Sequence, residues 1–140
     1  MRLLHAALIV GLASMPALAE DARSPSADPI DVALDQCLSA PDGESTAGMI
    51  ACLGTAYQSW DQELNAVYGE LIALLEPDQK QALKSAQRQW IAFRDAENAF
   101  LASLQGPDSG SALRVTANQV ITDFIKTRVN ELRVYRDMDR

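Results

Sequence analysis

The 140-residue chain is poor in the side chains that most often do chemistry. Its one histidine is His5, and its two cysteines are Cys37 and Cys52. Beyond residue 5 there is thus no imidazole for a Ser–His or Cys–His mechanism, and none to ligate zinc. Pairing of the two cysteines would remove the thiolates as well. No glycine-rich phosphate loop is present, and Asp108-Ser109-Gly110 is too short for a calcium loop and lacks the ligands that should follow. No cofactor, metal or catalytic residue is therefore expected. Basic residues are scarce, 12 against 19 acidic for a formal charge of −7. That argues against a nucleic-acid partner, which calls for a basic face. Acidity serves solubility, and it would also draw in a cationic partner; both readings stay open. Aromatics are few at 6%. No strand pattern rises above background, and the frequent Ala, Leu and Gln favour helix.

What is there begins with an export pattern. Met1-Arg2 is basic, Leu3 to Leu12 is apolar, and Ala17-Leu18-Ala19 is a small-x-small cleavage site before Glu20. Residues 1–19 read as a secretory signal peptide, too short for a membrane span. Its removal takes Arg2 from the 12 basic residues and leaves 11 against 19 acidic, a charge of −8. No second long apolar run follows, so the mature chain is expected in the periplasm or outside the cell, without a membrane span. An oxidising compartment favours a Cys37–Cys52 disulfide as a structural staple, worth about 3 kcal/mol on the chain-entropy argument. The spacing is far from a Cys-x-x-Cys redox motif.

Residues 20–27 are polar, carry Ser24-Pro25-Ser26 and read as a disordered lead-in. A helical domain is expected over 28–140. Asp28-Pro29 supplies a cap and a first-position proline for a short helix to about Ser39, with Val32, Leu34 and Cys37 partly inward. Pro41-Asp42-Gly43 is a turn, and Ser45 or Thr46 caps a second helix running to about Leu75. From Ile50 its apolar residues recur in steps of three and four through Leu53, Tyr57, Trp60, Leu64, Val67, Leu71 and Leu74, a stripe suited to helix packing. Glu76-Pro77-Asp78 breaks it. A third helix is expected from about Pro77 to Leu104, striped by Leu83, Ala86, Trp90, Phe93, Phe100 and Leu104. A fourth is expected from about Ala112 to Arg136, striped by Leu113, Val120, Ile121, Phe124, Ile125, Val129, Leu132 and Tyr135. The fold expected is all-α, an antiparallel three-helix bundle with a short N-terminal helix tied on by the disulfide.

Polar residues interrupt the stripes at related heights. A hairpin turning near residue 76 sets Asn65 opposite Gln87 and Asp61 opposite Arg94. A second hairpin turning near Asp108 brings Trp90 to Lys126–Arg128. Asp61, Asn65, Gln87, Arg94 and Arg128 are therefore expected to form one network, packed round by Tyr57, Trp60, Tyr68 and Trp90. Such a seam either fixes helix register, with its groups satisfying one another, or lines a pocket. Among the carboxylates, Asp61, Glu63, Glu70, Asp95 and Glu97 could be put forward for a two-carboxylate hydrolase, but all sit on charged helices where ion pairing is usual.

Three spaced motifs carry a resemblance: Asp61-x-x-Leu64-Asn65-x-x-Tyr68, then Leu83-x-x-x-Gln87-x-x-Trp90-x-x-x-Arg94-Asp95, then Arg128-x-x-x-Leu132. With Cys37 and Cys52 upstream, they resemble the LprI-type lysozyme inhibitor domain, a family of small exported bacterial proteins. The match covers nearly all of the mature chain. The resemblance implies a non-enzymatic protein that binds lysozyme, by protein–protein contact. It also departs from the family at one point. Many relatives have a second cysteine pair, and the matching positions here are Asn98 and Val120, which the second hairpin's register places side by side. The alternatives to a lysozyme inhibitor are an envelope module that binds another protein or a peptidoglycan fragment near Tyr57 and Trp60, and a carboxylate-based cell-wall hydrolase.

Overall fold

The structure is a computed structural model that describes residues 27–106 and 108–138; the signal peptide and residues 20–26 of the lead-in lie outside them. Four α-helices form, with no strand among the described residues: α1 Pro29–Ser39, α2 Thr46–Leu74, α3 Pro77–Ser103 and α4 Ser111–Met138. The all-α bundle expected from the sequence is what these helices build.

Local signals set the helix ends. The Asp28 carboxylate accepts from the Ile30 amide at 2.9 Å, and Pro29 follows it at the first position. The Ser45 hydroxyl accepts from the amide of Gly48 at 3.0 Å to start α2. At α3, Glu76 and Gln79 form a reciprocal capping box ahead of a helix that begins at Pro77. Between α1 and α2, Pro41–Gly43 makes one 3-10 turn. That turn presses against α2 so closely that a Cβ on Gly48 would collide with the backbone of Asp42 and Gly43. Glycine is therefore needed where the chain reaches Cys52, and the Cys37–Cys52 disulfide closes the loop with a Cα–Cα distance of 5.7 Å.

The core lies between the first and last long helices. Trp60, Leu64, Val67 and Leu71 of α2 interlock with Ile125, Val129 and Leu132 of α4, all 4% exposed or less. The spacings of four, three and four residues on α2, and of four and three on α4, keep each set on one face. Contacts climb together along the two helices: Thr122 donates to the Leu53 carbonyl, Arg133 pairs with Glu63, and Arg136 with Glu70. So α2 and α4 run parallel, and α3 is the antiparallel return between them. Against α4 it meets Phe93 on Phe124, with ring centroids 5.8 Å apart, and Gln87 on Arg128.

The third helix is where packing departs from expectation. None of its residues is buried. Leu83 and Trp90 alone of its stripe touch the core. Phe93, Phe100 and Leu104, expected inward, are 51%, 57% and 45% exposed. The cause is that the α2 stripe is already filled by α4, with α1 alongside, which leaves α3 only a glancing seat. Val32 on α1, Leu74 on α2 and Tyr135 on α4 also face outward, whereas Leu34 and Cys37 are half-buried as expected.

Candidate functional site

The polar residues read from the sequence do gather, but not as an interlocked network. Arg94 sends Nε and Nη2 to Asp95 Oδ1, at 3.0 and 2.8 Å, rather than to Asp61. Asn65 stays on its own helix and donates to the Asp61 carbonyl at 2.8 Å, one turn back. One bond of the expected set crosses between helices: Arg128 Nε donates to Gln87 Oε1 at 3.0 Å, while its Nη1 pairs with Glu131 at 2.9 Å. Arg128 is 7% exposed, so these two acceptors satisfy a nearly buried cation. The four residues Asp61, Asn65, Gln87 and Arg94 line one space between α2 and α3 without bonding across it. Asp61 bonds within its own helix through Asn65, and Arg94 within its own through Asp95.

That space is a cleft of about 450 Å³ between α2 and α3. Asp61, Asn65 and Tyr68 line it from α2, above the buried Leu64. From α3 come Lys84, Gln87, Arg88, Ile91 and Arg94; Lys84, Arg88 and Ile91, and Gln87, Ile91 and Arg94, step by three or four residues, which puts the set on one face. Trp90, packed against the core, has two guanidinium groups near its ring, Arg94 at 5.4 Å and Arg128 at 5.9 Å from the centroid. The arrangement is a solvent-reached, partly apolar groove with cations on one wall and hydrogen-bonding groups on both.

A second polar constellation was missed in the sequence. Trp60, 1% exposed, has Lys126 and Arg133 over its ring at 5.8 and 5.6 Å. Lys126 pairs with Asp31 at 2.8 Å; Arg133 bridges Asp28 at 2.8 Å and Glu63 at 2.6 Å. Three carboxylate–cation contacts thus join α1, α2 and α4 around one indole, each cation lying within reach of the ring quadrupole. Burial works against the charge on Arg133, but bonds to Glu63 and Asp28 outweigh it and hold the group above its ordinary pKa. Burial likewise opposes ionisation of Asp28, yet the Ile30 amide and Arg133 overcome it and hold its carboxyl below the usual carboxylate range. One signal did point here: Lys126 and Arg133 are seven residues apart, two turns along one face of α4.

This placement corrects a binding role for Trp60, whose ring is inside the core. It also accounts for several of the carboxylates considered for hydrolysis: Glu63 holds Arg133, Glu70 holds Arg136 and Asp95 holds Arg94. Among the described residues, no three His, Cys, Asp or Glu side chains are grouped to hold a metal ion. No described helix is long and apolar enough to cross a membrane.

Comparison with known proteins places this geometry in context. A family model described as lysozyme inhibitor LprI matches residues 37–132, from the first cysteine to the last core leucine. The Escherichia coli (strain K12) protein YecT, described as uncharacterized, is 28% identical over 146 residues, covering 94% of this chain and 90% of that protein. The crystal structure of an uncharacterized protein from Burkholderia thailandensis is similar with a TM-score of 0.74 and 32% identity. That match covers 79% of this chain, and the chain spans 54% of that one.

Proposed function

The chain belongs to the lysozyme inhibitor LprI family, and from that premise we propose that it is an exported, non-enzymatic binding protein that inhibits lysozyme by docking on it. The family match carries this reading, because it takes in the staple, the α2–α4 core and both walls of the cleft. The charge of −7 supports it: an acidic protein meeting a basic lysozyme gains association rate and charge complementarity. The disulfide and the signal-like pattern of residues 1–19 support a site of action in the periplasm or outside the cell.

The test is a lysis assay. Purified mature protein, added in excess to a c-type lysozyme acting on peptidoglycan, is expected to slow clearing. The effect should weaken as salt rises, since screening over about 10 Å at 0.1 M erodes steering between surface charges. Full lysozyme activity at low salt with excess protein would rule the reading out.

A further inference from the structure

We propose that the α2–α3 cleft binds a short peptide through its free terminal carboxylate, on a surface separate from the one that would meet lysozyme. Its cationic wall is the first reason. Arg94, Lys126, Arg128, Arg133 and Arg136 each hold a carboxylate. Lys84 and Arg88 hold none among the described residues, and both line the cleft. In a chain of net charge −7, two uncommitted cations on one wall form a local anion site. The same wall would repel a basic lysozyme, so this binding does not depend on the inhibitory reading.

The cleft's other groups narrow the ligand. Asp61 lies at the end opposite Lys84 and accepts rather than donates, so the ligand needs N–H groups there. From Asp61 to Tyr68 is about 10 Å along α2 at 1.5 Å per residue, which matches about three extended residues. A tripeptide lying along the groove would set its carboxylate against Lys84 and Arg88. Its amides would meet Asn65 and the Tyr68 hydroxyl, and its amino end would reach Asp61. Leu64 and Ile91 offer apolar contact between these ends. Two sources supply such a ligand: the carboxyl end of an unfolded protein, or a cell-wall stem peptide, whose D-residues leave the terminal carboxylate in place.

The experiment is a titration of the mature protein, followed by amide chemical shifts, with trialanine, its C-terminal amide, and a stem tripeptide. Trialanine or the stem tripeptide is expected to shift residues 61–68 and 84–94, and whichever binds tighter identifies the source. Amidation should weaken trialanine binding at least roughly tenfold, as should the pair Lys84→Gln and Arg88→Gln. These side chains are exposed, so the double variant should keep the parent melting temperature. Equal affinity for amide and acid, an unaffected double variant, or no shifts in the cleft up to about 10 mM of either acid would each overturn the proposal.

Discussion

At the scale of single residues, the molecule concentrates its ionic interactions on Trp60, and Asp28 does two jobs there at once. It caps α1 through the Ile30 amide and reaches 105 positions along the chain to Arg133. Asp28→Asn keeps a good cap but loses the charge. Because the folded-state pKa lies below the ordinary 3.8, the ionised carboxylate adds stability above that pH, and this is lost as pH falls through the lowered value. Wild type should therefore exceed Asp28→Asn by about 1 kcal/mol at neutral pH, the upper end for a partly solvated ion pair. Melting curves should show the gap constant from about pH 5 to 8 and closing below about pH 4. A gap unchanged at lower pH would refute this account. The Asp28–Arg133 link was out of reach of the sequence, since no spacing rule connects residues on the first and last helices. The cap at Asp28 was legible because it is decided within three residues.

At the scale of elements, α3 is the weakly held member. It is 27 residues long with none buried, so most of its stability comes from its own hydrogen bonds, its capping box, and the seats of Leu83, Gln87 and Trp90. Native-state hydrogen exchange should therefore find α3 amides opening at lower free energy than those around Trp60 to Leu71 and Ile125 to Leu132. Equal protection across the three long helices would contradict this. All four helices were legible in the sequence to within about two residues, because Pro29, Ser45, Pro77 and their partners mark starts locally. That Asp61, Asn65, Gln87 and Arg94 share one space was legible too, since the Pro77 turn folds α3 back along α2. The distance between helices was not. It depends on how fully α4 occupies the α2 face, and the Phe93 and Phe100 pattern resembles a core stripe whether or not a partner covers it.

For the whole molecule, α1 is held by Ile30 packed on the core, by the disulfide, and by the ion pairs Asp28–Arg133 and Asp31–Lys126. Replacing both cysteines by serine should lower stability by about 3 kcal/mol, read from denaturant midpoints. The two ion pairs, with Ile30 on the core, should keep α1 in place at neutral pH, so limited proteolysis before residue 46 should become marked in this variant only under acid or high salt. Immediate cleavage at neutral pH and low salt would show that the ion pairs do not hold it.

Because the two helices that share the core are the second and the last, separated by the whole of α3, the hydrophobic contacts that define this fold are distant along the polypeptide. A nascent chain that ends before Ile125 lacks the α4 face that closes over Trp60. Collapse must then await synthesis of the final segment, which leaves the chain open for as long as it is being made or moved.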